Sequence, residues 1–139
     1  MKLVRCFLLA ACAWPAFGAQ FAKFGDIEVH YVVVSTMFLT AEIATQNGIE
    51  RRPDRAFVNL SVLKADLPVR AELTGTVTNL LGHARKLDFR EMTEGASIYY
   101  LASLEHDDED TLRFVVDVTV AGEPTHRVEF QETLFQERQ

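Results

Sequence analysis

The sequence predicts an all-β fold: a seven-stranded antiparallel immunoglobulin-like sandwich with one short helical turn near residues 40–47. Three observations predict it. Apolar and polar residues alternate with period two through most of the chain from Asp26 onward, the mark of strands with one buried and one wet face. Val, Ile, Thr, Phe and Tyr are frequent in those segments, which suits a pleated, half-buried surface. Turn residues recur between the segments at short spacing, as in two-sheet sandwiches. A small closed barrel is the alternative architecture for the same pattern.

The first residues stand outside this pattern. Lys2 and Arg5 form a positive start, and an apolar run follows from Cys6 to Phe17. Ala16-Phe17-Gly18 then places small residues at the third and first positions before a cut. This is the layout of a secretory signal cleaved after Gly18, so residues 1–18 are read as a signal and 19–139 as one domain. The run is shorter than the roughly 20 residues that span a bilayer, so no transmembrane segment is expected after cleavage. Leu9-Ala10-Ala11-Cys12 spells a lipobox, but only six residues separate Arg5 from Cys12 and the chain stays apolar beyond it. A lipid anchor on Cys12 is therefore disfavoured. Cys6, Cys12 and Trp14 leave with the signal, so the mature chain has no thiol, disulfide or tryptophan. Its apolar core alone must hold it. Twelve basic residues then face twenty acidic ones, for a net charge of −8. That charge repels phosphate backbones and anionic lipid, which argues against nucleic-acid binding and attachment to anionic membranes.

In the first expected strand, Ile27, Val29, Tyr31 and Val33 alternate with Glu28 and His30. Thr40 to Gly48 starts with a capping residue and ends in Asn-Gly, which predicts the helical turn. Arg51 to Arg55 reads as a polar loop. The second strand, from about Ala56 to Lys64, puts Val58, Leu60 and Val62 on one face and Phe57, Asn59 and Ser61 on the other. Ala65-Asp66-Leu67-Pro68 turns the chain into a third strand, with Val69, Ala71, Leu73, Gly75 and Val77 on one side. After the turn Asn79–Gly82, Leu87 and Phe89 mark a fourth strand, and Ser97 to Leu104 forms a fifth. Leu112 to Val120 forms the sixth. A hairpin turn at Ala121–Pro124 leads to the seventh, with Val128, Phe130 and Leu134 inward.

No catalytic constellation survives a physical check, so no enzyme activity is expected. Ser61-Val62-Leu63-Lys64 has the Ser-x-x-Lys spacing that a helix would bring together, but it lies in a strand, where side chains three apart face opposite ways. His106-Asp107-Asp108-Glu109-Asp110 lacks the glycine and distal Glu of a calcium loop and reads as a solvated hairpin loop. His30, His83, His106 and His126 show no ligand spacing and are expected at the surface. No metal site or cofactor is expected. Arg51, Arg52 and Arg55 concentrate positive charge in an acidic domain. Tyr99 and Tyr100 are adjacent in a strand, so one of them points outward.

Phe24-Gly25-Asp26 leading into Glu28-Val29-His30-Tyr31, then Gly48-Ile49 with Arg51 and Arg55, then Val58-Asn59-Leu60-Ser61-Val62, resemble a small exported family, domain of unknown function 4426. The resemblance is densest in Thr78-Asn79-Leu80-Leu81-Gly82, Phe89-Arg90-Glu91 and Ile98-Tyr99-Tyr100, and it runs along nearly the whole mature chain. It implies a Gram-negative source and a periplasmic address, and it supplies no activity. Arg55 and Asn79 resemble recurrent family positions, which turn geometry alone would also explain. The expected function is a non-enzymatic binding or protein-interaction module with an unidentified periplasmic protein partner. Arg51, Arg55, Asn79 and Tyr99 are its candidate partner surface. A small-ligand or metal-ion carrier is the alternative.

Overall fold

A computed structural model describes residues 20–136. The expected leader, with its expected cleavage site and Cys12, lies outside the described residues. Ten strands form two antiparallel sheets. Sheet A has the order β1(Gln20–Phe24), β2(Ile27–Ser35), β3(Arg55–Lys64), β8(Ser97–Glu105), β7(Arg90–Glu94), with the short β4(Leu67–Pro68) also paired to β3. Sheet B has the order β10(His126–Leu134), β9(Asp110–Val120), β5(Ala71–Asn79), β6(Ala84–Leu87). Without β1 and β4, the order β2-β3-β8-β7 is the A-B-E-D sheet of an immunoglobulin domain, and β10-β9-β5 is its G-F-C sheet with β6 added at the edge. The expected sandwich is present.

The strand count differs from the expected seven for three reasons. Gln20–Phe24 forms a strand of its own, joined to β2 through Gly25-Asp26 with Gly25 at φ +63°. That turn puts glycine first, as a two-residue hairpin loop of type II′ does. Leu67 and Pro68, read as part of a turn, pair with Lys64 and Leu63. The expected fourth strand is two strands in different sheets, β6 in B and β7 in A. Leu87 and Phe89 both face the interior, but the chain changes sheets between them. The crossing lies close over β5: a side chain at Gly75 would meet Phe89 at 3.1 Å and Leu87 at 3.3 Å. Gly75 is the gap through which the crossing fits.

The core lies between the sheets. Val29, Val58, Leu60 and Val62 from sheet A meet Val77, Phe114, Val116 and Val118 from sheet B, all essentially without exposure. Tyr31 on β2 stacks on Phe130 of β10 at 4.1 Å, and Phe130 stacks on Phe114 at 4.9 Å, closing one side of the sandwich. Tyr100 points inward and joins the two layers. Its hydroxyl accepts the Ala71 N–H at 2.9 Å and donates to Glu91 at 3.3 Å. Burial, with Glu91 adding to it, pushes the phenol above its ordinary pKa, so it stays a neutral donor.

Between β2 and β3 the chain makes a 3₁₀ turn, Thr36–Phe38, and then the helix α1(Ala41–Gln46). The Thr40 side chain caps α1 by accepting the Ile43 N–H at 3.2 Å, and Gly48 ends it at φ +64°. Both features follow the expected helical turn.

Candidate functional site

Helix α1 lies over the outer face of sheet A, the face turned away from the core. β3, β8 and β7 supply that face, because residues alternate on a strand and paired residues share a side. Asn59 pairs with Val32 on one side and Leu101 on the other, and Leu101 pairs with Arg90. One row along, Tyr99 pairs with Met92. Phe57 belongs to the same face and is only 7% exposed, because the helix segment covers it. The sequence reading treated outward strand positions as solvated, and at Phe57 they are not.

A groove of about 590 Å³ lies between helix and sheet. Leu39 and Ile43 form the helix side; Phe57, Asn59, Tyr99 and Leu101 form the sheet side. Arg90 from β7 donates to the Asn47 carbonyl at 3.0 Å, tying the end of α1 to the sheet. Asn59 and Tyr99 also line a smaller hollow of about 80 Å³ beside the groove, with His30 and Ser61. The Asn59 side-chain oxygen is buried and has no hydrogen-bond partner. His30 is engaged: its Nε2 lies 3.1 Å from Glu28, and its ring stacks on Phe21 at 5.4 Å.

Of the four residues marked as a partner surface, Tyr99 alone lines this groove. Arg55 lies at one end of the sandwich, where it pairs with Glu105 at 3.0 Å and Glu50 at 3.3 Å. Arg51 is exposed, and its guanidinium donates to the Met37 carbonyl at 3.4 Å. The Asn79 side-chain oxygen accepts the N–H groups of Leu81 at 3.1 Å and His83 at 2.9 Å, so it builds the β5–β6 turn. That turn displays Leu80 and Leu81 to solvent.

The histidine expectation needs a correction at His106, which is 5% exposed. His106 alone turns inward, because its N–H donates to the Asp54 carbonyl at 2.8 Å and Gln136 donates to its carbonyl at 3.2 Å, while Asp107, Asp108 and Glu109 are exposed as expected of a solvated loop. The loop acids serve the loop itself: Asp110 accepts the Asp107 N–H, and Asp108 accepts the N–H groups of Glu109 and Gln136. Sequence reasoning missed Asn59, Leu101 and His106. The available signal was apolar Phe57 and Leu101 at outward positions of neighbouring strands, which a fully wetted face would not carry.

The fold and groove define an immunoglobulin-like sandwich with a helix-covered outer sheet face. The family model described as "Domain of unknown function (DUF4426)" matches residues 21–137, and the chain belongs to that family. A DUF4426 family protein from Pseudomonas aeruginosa PAO1, solved as a crystal structure, is similar at 32% identity and a TM-score of 0.77, covering 86% of this chain and 96% of its own. A copper-bound variant of FetP from uropathogenic Escherichia coli strain F11 has a similar fold at 9% identity and a TM-score of 0.60, over 86% of this chain and 96% of its own. FetP of the same strain, as isolated after recombinant expression in the periplasm, gives 10% identity and a TM-score of 0.59, over 86% and 95%. Comparison with curated proteins gave no match. Among the described residues no helix is long and apolar enough to cross a membrane.

Proposed function

We propose that this chain is an exported, non-enzymatic binding module of the periplasm, and that its ligand lies in the groove between α1 and the outer face of sheet A. The observation that carries the reading is the unpaired, buried Asn59 oxygen in an apolar groove of about 590 Å³. That volume falls among those of small-molecule sites, which pair apolar walls with a few polar groups. Leaving a buried acceptor unpaired costs about 1–3 kcal/mol, and a ligand N–H or O–H would recover it. The ligand class is therefore a largely apolar molecule with one hydrogen-bond donor, held against Tyr99 and Leu101. The leader layout supports export, with cleavage after Gly18.

Copper belongs to the FetP variant, whose likeness extends to the fold. Among the described residues of this chain, no three His, Cys, Asp or Glu side chains gather where they could hold a metal ion. The carrier alternative thus rests on an organic ligand.

The test is intact mass, native and denaturing, on protein expressed with its own leader and purified gently from the periplasm. The expected result is a denatured mass matching cleavage after Gly18, with a mass excess seen only in the native spectrum. Asn59→Leu removes the acceptor and suits a strand; it should weaken retention about tenfold, the worth of one buried hydrogen bond. Equal native and denatured masses, with no groove amide shifting in a ligand screen by NMR, would overturn the reading. A diacyl mass on Cys12 would overturn the soluble address.

A further inference from the structure

At one end of the sandwich a second cavity, of about 310 Å³, opens among the loops that follow β5, β8 and β10. It shares no lining residue with the groove. His83 and His106, far apart in sequence, both line it. The His106 ring is buried, and its Nδ1 lies 2.8 Å from the Asp107 carbonyl oxygen. A carbonyl can only accept, so Nδ1 carries a proton, and in the tautomer this selects Nε2 is the acceptor. That Nε2 is buried with no partner. An unsatisfied buried acceptor in a native fold calls for a donor.

Among the described residues no side chain donates to it. Glu105 is held by Arg55 at 3.0 Å and Asp54 by Arg52 at 2.7 Å. Arg85 also lines the cavity, where its guanidinium donates to the Glu105 carbonyl and places one cation beside the acids. Asp107 and Asp110 also line the cavity and have no cationic partner among the described residues. A lone-pair acceptor beside two carboxylates, which outnumber the Arg85 cation, selects a further cation that donates hydrogen bonds. The cavity is the size of a small molecule, and among the described residues no three ligating side chains gather here for a metal ion.

We propose that this cavity binds a small organic cation with N–H donors, a primary ammonium or a guanidinium. His106 Nε2 accepts one hydrogen bond, and the carboxylates of Asp107 and Asp110 supply the opposing charge. The probes are putrescine and agmatine, with tetramethylammonium as a cation that lacks a donor and zinc as the metal. Each is titrated into the ¹⁵N-labelled wild-type chain while the imidazole nitrogens are followed. The expected result is a saturable shift of His106 Nε2 and of the Asp107 and Gln136 amides with the two amines, and none with tetramethylammonium. His106→Phe keeps a ring and removes the acceptor; it should weaken amine binding about tenfold or more, as for a hydrogen bond to a charged group. The wild-type titration stands if that variant does not fold. No shift with either amine, an equal response to tetramethylammonium, or a response to zinc alone would each overturn the proposal. Asn59→Leu should leave amine binding unchanged, which separates this site from the groove.

Discussion

Two buried polar side chains behave in opposite ways, and the difference separates structure from recognition at the scale of single residues. Thr36 is completely buried and fully satisfied: its hydroxyl donates to the Arg52 carbonyl and accepts the Arg52 N–H, both at 2.9 Å. It clamps the start of the helix segment to the loop before β3. Thr36→Val keeps the shape, removes both bonds and leaves the Arg52 N–H unpaired, while the Arg52 carbonyl keeps the Arg55 N–H at 3.1 Å. It should destabilise the chain by about 1–3 kcal/mol, read as a lower urea midpoint with an unchanged slope. Asn59 carries an oxygen the fold does not use, so Asn59→Leu should leave stability unchanged or raised while ligand retention falls. The sequence shows which face of a strand such residues take, as the inward Tyr100 and outward Tyr99 illustrate. It does not show whether a polar atom has found a partner, because Thr36 and Arg52 meet across a loop and His106 meets Gln136 from the far end of the chain.

Single strands and turns were legible wherever alternation ran unbroken. β3, β5, β8, β9 and β10 lie close to where periodicity puts them, and Thr40 and Gly48 bound α1 as expected. The strand that splits into β6 and β7 was not legible, because Leu87 and Phe89 keep their inward spacing while the chain changes sheets. Ala65 and Asp66 between β3 and β4 were read as a turn, but their strain was hidden. Both hold positive φ, +49° and +64°, without being glycine. A left-handed backbone costs an L residue about 1–2 kcal/mol. Asp66→Gly should therefore stabilise the chain by about 1 kcal/mol, visible as a higher melting temperature. A lower melting temperature would mean that the Asp66 side chain contributes more than its backbone strain removes.

For the molecule as a whole, the ion pairs set a limit at low pH. Lys64 at the end of β3 reaches Glu123 in the β9–β10 turn at 2.7 Å, joining the two sheets, and Arg127 on β10 grips Asp117 on β9 at 2.9 Å. Hydrogen bonds from Lys64 and Arg127 hold the Glu123 and Asp117 carboxyls below their ordinary values. Groups lowered by folding stabilise fully above the ordinary carboxylate range, and that contribution fades as pH falls through the lowered values. The Lys64 ammonium is raised, so its share is present below its ordinary value and fades only at strongly alkaline pH. The urea midpoint should be flat near neutrality and fall below about pH 4; in Glu123→Gln the acid fall should be shallower. High salt should shrink the difference, because both pairs are solvent-exposed. The groove also belongs to this scale. It exists because α1 crosses strands from three parts of the chain, and no local pattern announces such a crossing.

The pairing of β3 with β8 sets a schedule for the chain. Arg55 lies opposite Glu105, and Ala71 opposite Val120, so each sheet closes at its centre only with a strand made much later. Synthesis presents β3 with β2 alone on one side and the short β4 on the other, and that edge stays open until β8 arrives. Folding is then expected to be slow, on the order of milliseconds to seconds for so non-local a pairing. A chaperone that holds an extended strand would find its opportunity in that interval.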